Sequence, residues 1–259
     1  MARKQRIDVL LVERGLAESR TRAQALVMAG AVVAGDQRVD KPGQLVPDDA
    51  LVRLKEDAAG SRYVSRGALK LEKALEVFPV DPAGKLCADL GASTGGFTDL
   101  LLQRGARKVY AVDVGYGQLH PRLRSDPRVV VRERENARLL TAAILGERVE
   151  LVVGDLSFIS LRLVLPAVRS VLSPGGDALL LVKPQFEVGK GEVGKGGVVR
   201  DDAKRRSALE AVKAAAVELG FAVTGEVESP IEGPAGNREW LLALRAPGLG
   251  RGAPAGSAP

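Results

Sequence analysis

Residues 6–56 contain apolar positions at helical spacing, followed by short strand-like runs. Ile7, Leu10 and Leu11 recur at helical spacing, and Gly15 is placed to end that helix. Ser19 is a suitable N-cap for a second helix, whose apolar positions include Ala23. The runs AVVAGDQRVD and GQLVPDDALVRL then combine strand-like residues with turn residues. The pattern predicts a small α+β module in which a sheet packs on two helices.

From residue 85 onward, continuous apolar runs alternate with helical segments. The strand-like runs are KLCADLGA, KVYAVDV, RVVVRE, VELVVGDL and DALLLVK, and helices are predicted between them. A helix near 201–219 and two last strands, FAVTGEVES and EWLLALRA, bring the total to about seven strands. Strands that are apolar throughout are typical of a parallel sheet with helices on both faces. The sequence therefore predicts a Rossmann-like α/β domain that binds its ligands at the carboxyl ends of the strands.

The domain boundaries follow from changes in these patterns. The prediction is an N-terminal module at 1–60, a polar linker at 61–67, the α/β domain at 68–246 and a disordered tail at 247–259. The linker leads into the helical pattern GALKLEKALEVF, in which Lys70 lies off the apolar stripe, as solvated lysines do.

Composition narrows the partners that can be considered. The chain has 259 residues and a formal net charge of +6, which favours a polyanionic partner such as nucleic acid, although basic solvated surfaces are common. Aromatic residues are 3% of the chain, which favours structured RNA bound through its backbone over base stacking. One cysteine and one histidine give no support to a disulfide or a metal site. Without a membrane-spanning run or a signal-peptide core, a cytoplasmic location is expected.

A glycine-rich turn, GASTGGF, follows the first strand of the larger domain. Glycines let the backbone approach a ligand closely, and amides at the start of the next helix favour a negative or electron-rich group. The spacing of these glycines is neither GxGxxG nor GxxxxGK, which argues against a dinucleotide or a nucleoside triphosphate and leaves S-adenosylmethionine as the better fit. The predicted cofactor-binding residues of this turn are Gly91, Ala92, Ser93, Thr94, Gly95, Gly96 and Phe97.

Polar residues also lie at the ends of the other strands. Asp113 closes the second strand about 20 residues after the turn, where a carboxylate can accept both hydroxyl hydrogens of a ribose. Asn136 follows the third strand, where its amide can read adenine. An ordinary cap or turn is the alternative for both residues, and the stronger one for Asn136. Asp155 ends the fourth strand, and Lys183 leaves the fifth strand into the predicted cleft, an unusual position for a solubilising lysine.

The segment RIDVLLVERGLAESRTRAQALVMAGAVVAGDQRVDKPGQLV resembles the small RNA-binding module named after ribosomal protein S4. In that family a helix pair followed by a VNG turn and KPG presents basic residues to folded RNA; VVAGDQRV stands here at the usual place of VNG. Arg6, Arg20 and Arg22 are the RNA contacts expected in this module. A solvated basic face is the alternative, because acidic residues are interspersed.

Across the whole chain, GASTGGF, AVDVGYGQL, GDLSF, KPQFE and SPIEGPAGNREW resemble the TlyA family, in which an S4-type module is fused to an FtsJ-like ribose methyltransferase. The resemblance places RYVSR at the interdomain linker, with Tyr63 where tryptophan is frequent, and adds Arg62 and Arg66 to the expected RNA contacts. It implies a catalytic set that this chain retains, namely Lys70, Asp155, Lys183 and Glu239, with Asp155 also at the cofactor.

The resemblance implies S-adenosylmethionine-dependent 2'-O-methylation of cytidine in ribosomal RNA. A ribose hydroxyl is a poor nucleophile, so a positioned group must help to remove its proton. Lys183 is the candidate base, and the alternative is a charged Lys183 that only polarises the oxygen. The expected partner is ribosomal RNA or a ribosomal subunit, with no membrane or metal, and a monomer is favoured. Three other functions are considered: a noncatalytic ribosome-assembly factor, a haemolysin and a small-molecule methyltransferase.

Overall fold

The computed structural model describes residues 4–28, 30–35, 37–54, 62–189, 191–194 and 196–248. Residues 55–61 and 249–259, which include one predicted boundary and most of the predicted tail, lie outside the described residues. The described residues form an N-terminal module and a larger α/β domain, each with its own buried apolar residues.

The N-terminal module has two short helices and two small antiparallel sheets. Gly15, with a φ of +68°, follows the first helix, and the Ser19 hydroxyl accepts the Arg22 N–H at the start of the second, as the sequence predicts. β1 pairs with β4, and β2 lies between β3 and β5. Its elements are β1 (Lys4–Arg6), α1 (Ile7–Glu13), α2 (Arg20–Met28), β2 (Val32–Ala34), β3 (Gln37–Arg38), β4 (Leu45–Pro47) and β5 (Val52–Leu54).

The larger domain alternates strands and helices in the predicted order. Two of its crossover helices have only four residues each; Pro121 begins one of them, and Gly146 at φ +90° ends the other. Its elements are α3 (Ala68–Val77), β6 (Leu86–Leu90), α4 (Gly96–Gln103), β7 (Lys108–Asp113), α5 (Pro121–Arg124), β8 (Val129–Glu133), α6 (Ala142–Leu145), β9 (Val149–Gly154), α7 (Leu165–Val171), β10 (Leu172–Val182), α8 (Pro184–Glu187), α9 (Asp202–Glu218), β11 (Ala222–Glu228) and β12 (Trp240–Arg245), with 3-10 helices at Ala137–Leu139 and Leu161–Leu163.

These strands form one seven-stranded sheet in the order β11-β12-β10-β9-β6-β7-β8. Strands β6 to β10 pair in parallel, and β12 is antiparallel to both of its neighbours. The predicted Rossmann-like α/β class is thus confirmed. The chain leaves β6 toward β7 and β8 and later returns to β9 on the other side, so a crevice opens between the carboxyl ends of β6 and β9, where sheets of this kind bind ligands.

Both faces of the sheet are covered by apolar side chains, as the continuous apolar strands predict. Cys87 lies fully buried in β6, and burial raises the pKa of its thiol to about 12, which fits the inert core thiol that its apolar surroundings suggest. Within the described part of the chain, no helix combines the length and the apolar character needed to cross a bilayer.

Candidate active site

Four ionisable side chains meet at the edge of the sheet formed by the carboxyl ends of the parallel strands. Asp155 follows β9, Lys183 follows β10 and Glu239 precedes the antiparallel β12. Because β10 lies between β9 and β12, these three residues reach the same edge. Lys70 joins them from α3, which packs against β12. The structure therefore brings together the whole predicted catalytic set.

Two carboxylates hold Lys70. Its Nζ donates to Glu239 Oε2 at 2.8 Å and to Asp155 Oδ2 at 3.2 Å. The side chain of Lys70 is 6% exposed, and that of Glu239 is fully buried. The solvated position suggested by the helical stripe alone is therefore not where Lys70 lies, because the strand ends supply buried partners that a helix pattern cannot reveal.

Lys183 binds the other oxygen of the same aspartate. Its Nζ lies 2.5 Å from Asp155 Oδ1 and donates to Ser157 Oγ at 2.8 Å. An ammonium group has three N–H donors, so these two partners leave one direction for a further acceptor. The Lys183 side chain is itself buried.

Groups of opposite type face each other in the cluster, since two lysines lie beside two carboxyl groups. Burial lowers the pKa of Lys70, but the carboxylates of Asp155 and Glu239 outweigh burial and raise it above its ordinary value. Burial raises the pKa of Asp155, but Lys183 and Lys70 outweigh burial and hold it below its ordinary value. Lys70 and Asp155 are therefore ionised at neutral pH.

Glu239 fits into its buried position because of a glycine. An added Cβ at Gly233 would lie 2.5 Å from Glu239 Oε1, so any larger residue there would displace the carboxylate. Among the described residues, Oε1 has no hydrogen-bond partner although it is buried. This oxygen is thus available to a further donor.

The glycine-rich turn between β6 and α4 lies directly against Asp155 of this four-residue cluster. At Gly91, φ is +81°, and an added Cβ would lie 2.9 Å from the backbone oxygen of Asp155. Only glycine permits this approach of two backbones. Gly95, with a φ of +96°, then leads into the first turn of α4, where Asp89 accepts the Thr98 N–H and the amides before it favour an anionic group.

Gly96 has a different reason to be glycine. A Cβ there would collide with Ser65 Oγ and would lie 3.1 Å from the backbone nitrogen of Ala68. The last residues of the predicted linker therefore pack against the cofactor turn. Asp99 of α4 fixes them there, because its Oδ2 accepts the Val64 N–H at 2.8 Å.

Asp113 joins the end of β7 to the cofactor turn. Its Oδ2 accepts the Ser93 N–H at 2.8 Å, and its Oδ1 accepts the Gly115 N–H at 2.7 Å. Each carboxylate oxygen has a second acceptor site, so the pair remains able to bind ribose hydroxyls. Asn136 Oδ1 accepts the Arg138 N–H at 3.0 Å and caps a 3-10 helix. This is the alternative that the sequence offered, and its adenine contact stays a prediction.

Asp89 is a buried carboxyl group that the sequence analysis did not select. Burial raises its pKa to about 7, while the Thr98 N–H and hydroxyl donate to Oδ2 at 2.9 and 2.7 Å. Oδ1 is buried and has no partner among the described residues. Asp89 is one residue before the end of β6 and close to the glycine turn, and this position in the sequence could have identified it as a candidate site residue.

Phe158 was also missed. Its side chain is 92% exposed, its φ is +66°, and its ring lies 5.4 Å from that of Phe186. A bulky residue is rarely found in the left-handed region unless its surroundings hold it there. Phe158 follows Ser157, whose hydroxyl accepts from Lys183, so this exposed ring is one residue along the chain from the cluster.

The predicted RNA contacts of the N-terminal module form a second charged cluster. Asp8 is fully buried and accepts hydrogen bonds from Arg6, Arg20 and Gln24. The bonds from Arg6 hold the pKa of Asp8 well below its usual range, against the effect of burial. Arg22 is half-buried and lies on α2, the helix that carries Arg20 and Gln24.

The linker arginines differ from each other. Arg62 pairs with Glu72 and lies over the Tyr63 ring, with its guanidinium carbon 4.6 Å from the ring centroid. Arg66 is exposed, and no ion pair is found for it among the described residues. Arg66 is therefore the less constrained of the two, and its RNA contact stays a prediction.

Residues 63–246 match the family model described as FtsJ-like methyltransferase, and residues 5–52 match the S4 domain. The chain belongs to the FtsJ-like methyltransferases. It is 53% identical over 245 residues to the 16S/23S rRNA (cytidine-2'-O)-methyltransferase TlyA of Mycobacterium tuberculosis, covering 95% of this chain and 91% of that protein. It is 50% identical over 251 residues to YqxC of Bacillus subtilis, covering 96% and 89%. The resemblance to the TlyA family is thereby confirmed.

The chain is also similar to a solved structure over nearly its whole length. The "Putative hemolysin from Streptococcus thermophilus" has 45% sequence identity and a TM-score of 0.73, covering 97% of this chain and 92% of that one. The cofactor of this FtsJ-like methyltransferase is S-adenosylmethionine, and its residues fit that molecule. The amides at the start of α4 suit a carboxylate, Asp113 suits a ribose, and the unpaired Asp89 Oδ1 suits a donor.

Proposed function

We propose that this FtsJ-like methyltransferase methylates the ribose 2'-hydroxyl of a cytidine in ribosomal RNA. The observation that carries the proposal is the cluster of Lys70, Asp155, Lys183 and Glu239, packed against the cofactor turn through Gly91. Its TlyA relative is named as a 16S/23S rRNA (cytidine-2'-O)-methyltransferase, which supports the substrate. The S4 domain supplies a surface for folded RNA.

In the proposed mechanism the bound S-adenosylmethionine supplies a methyl group on a positively charged sulfur. Lys183 binds the 2'-hydroxyl oxygen in its one unused direction, while Asp155 and Ser157 fix the ammonium group. Lys70, held between Asp155 and Glu239, keeps Asp155 in place. Such positioning accounts for a large part of the rate gain in reactions of this kind.

Lys183 has two roles open to it. As a general base, it takes the hydroxyl proton and must be neutral before the reaction. As a charged donor, it polarises the hydroxyl oxygen and the proton leaves to water. The two roles predict different pH–rate profiles, because only the first requires an ionisation that disappears with Lys183.

RNA is proposed to bind over both domains. Phe158 stacks on the target base, which leaves its stacked position to bring the ribose to Lys183. Arg6, Arg20 and Arg22 contact phosphates from the S4 domain, and Arg66 does so from the linker. A cytoplasmic location and a monomeric state complete the proposal, and analytical ultracentrifugation checks the latter.

The deciding experiment incubates the full-length protein with methyl-labelled S-adenosylmethionine and unmodified small or large ribosomal subunits. Label on a cytidine 2'-oxygen, mapped by nuclease digestion and mass spectrometry, supports the proposal and names the subunit. Lys183→Ala is expected to lose the label, and Lys73→Ala on α3 is the matched lysine control. If the protein binds cofactor and subunits but transfers no label, it acts as a noncatalytic assembly factor instead.

A further inference from the structure

The S4 domain contains a buried carboxylate that accepts hydrogen bonds from three residues. Asp8 lies in α1, and its Oδ2 accepts Arg6 Nη2 at 2.9 Å, Arg20 Nε at 3.1 Å and Gln24 Nε2 at 3.0 Å. Its Oδ1 accepts Arg6 Nε at 3.0 Å. Arg20 and Gln24 are four residues apart on α2 and therefore face Asp8 from the same side of that helix.

The carboxylate and the arginines differ in exposure. The Asp8 side chain is 0% exposed, whereas those of Arg6 and Arg20 are 45% and 56% exposed. Both guanidinium groups therefore use one edge on Asp8 and keep further N–H donors directed toward solvent. A single buried residue thus fixes two solvent-facing cations that come from different elements, β1 and α2.

Arg6 is confined from a second direction. A Cβ added at Gly43, in the KPG turn, would lie 3.3 Å from Arg6 Nη1. The Arg6 guanidinium is therefore held between the Asp8 carboxylate and the backbone of that turn. Free arginine side chains lose much rotamer freedom when they bind a partner, and the bonds to Asp8 restrict Arg6 and Arg20 before any partner binds.

We infer that Asp8 is a positioning residue for RNA binding, whose carboxylate sets Arg6 and Arg20 at the spacing and orientation that receive phosphates of folded RNA. The inference rests on the proposed function, since it assigns the S4 domain to RNA. It adds a residue that makes no contact with RNA and bears the same charge sign as RNA.

Because Asp8 is negatively charged, the inference and a simple charge effect predict opposite changes in RNA affinity. If charge alone decided RNA affinity, replacing Asp8 by a neutral residue would strengthen binding, because it removes a negative charge near phosphates. If Asp8 positions the two arginines, the same replacement weakens binding. Asp40 is the matched control, because it pairs with Arg38 at 2.7 Å in the same domain but is 65% exposed.

The test measures binding of the full-length protein to unmodified ribosomal subunits by filter retention at several salt concentrations. Asp8→Asn is expected to weaken binding about tenfold through lost preorganisation of two side chains, and Asp40→Asn to leave it unchanged or slightly stronger. Adding Asp8→Asn to an Arg6→Ala/Arg20→Ala protein is expected to cause no further loss, because Asp8 acts only through those arginines.

Folding is checked separately, because Asp8 is buried. Thermal unfolding and calorimetric S-adenosylmethionine binding establish that each variant is folded at the assay temperature. If Asp8→Asn does not fold, Arg20→Lys and Arg22→Lys replace it: both keep the charge, but only Arg20 is hydrogen-bonded to Asp8. The first is then expected to weaken binding several-fold more than the second.

The failure of the proposed function and the failure of the positioning role of Asp8 would give different results. If the unmodified protein itself shows no salt-dependent binding to subunits, the proposed function fails. If the unmodified protein binds but Asp8→Asn binds equally well or more tightly, or Arg20→Lys and Arg22→Lys have equal effects, the positioning role of Asp8 is wrong while the proposed function stands.

Discussion

The ammonium group of Lys183 lies 2.5 Å from Asp155 Oδ1, at the ends of two adjacent parallel strands. The other oxygen of that carboxylate binds Lys70, so one aspartate links both lysines. A change at either lysine therefore alters the contacts of the aspartate that binds the other.

Lys183→Ala is expected to lower kcat for methyl transfer by about 10²- to 10⁴-fold, because it removes the group that binds the substrate hydroxyl. Affinity for S-adenosylmethionine should change little, since Gly91 and Asp113 remain. Single-turnover kinetics and calorimetry measure the two quantities. Retained transfer in a folded variant would remove Lys183 from the mechanism. If the pH–rate profile of the unmodified protein shows no ionisation that can be assigned to Lys183, the general-base role is wrong and only the polarising role of Lys183 remains.

Gly91→Ala is expected to impair cofactor binding strongly. The new Cβ would meet the Asp155 carbonyl oxygen at 2.9 Å in a left-handed backbone, so the turn must move away from β9. Gly84→Ala is the matched control, because Gly84 also has a positive φ of +71° but no atom within 4 Å of an added Cβ. Both variants carry a strain of about 1–2 kcal/mol, which thermal unfolding measures. Equal cofactor affinity in the two proteins would contradict the close-approach argument.

Phe158→Ala is expected to raise KM for ribosomal subunits by about tenfold, which corresponds to the loss of one stacked base. Phe158→Tyr should preserve KM, because the ring remains. Val217→Ala in α9 is the control, since Val217 is also exposed but is not aromatic. Steady-state kinetics with saturating cofactor separates KM from kcat. A KM unchanged in Phe158→Ala would show that the target base does not stack there.

Asp89 is expected to make stability fall as pH rises. Its folded-state pKa of about 7 lies above the ordinary 3.8, so between these values the folded protein holds a proton that the unfolded chain has lost. Stability therefore decreases by about 1.4 kcal/mol per pH unit across this window. Asp89→Asn removes that dependence and should raise the unfolding temperature more at pH 8 than at pH 5. Equal shifts at both pH values, measured without cofactor, would contradict the raised pKa.

Much of the fold could be predicted because its signals are local. The strand-like run at 86–90 and the glycine turn after it specify β6 and the start of α4 within a few residues. The three residues of β1 were not predicted, since Lys4–Arg6 is polar and becomes a strand only by pairing with β4. Short edge strands depend on a partner rather than on their own composition.

In the candidate site, too, some residues could be selected from local sequence and others could not. Lys183 and Asp155 could be selected from the sequence because each follows a predicted strand, whereas Lys70 was selected only through the family resemblance. Asp8 resembled an ordinary acidic residue of a first helical turn, and Phe158 an ordinary apolar one. Their burial and exposure are the reverse of what residue type suggests, since functional sites are where local preferences are overridden.

The sequence by itself thus determined the order of helices and strands, the parallel sheet, the glycine turn and the family. Those features depend on neighbours along the chain. Only the tertiary structure decided that Lys70 and Lys183 share Asp155 and that Asp8 holds two arginines. Such contacts join residues from different elements, and the pKa values, hydrogen bonds and exposure they create arise only when the elements pack.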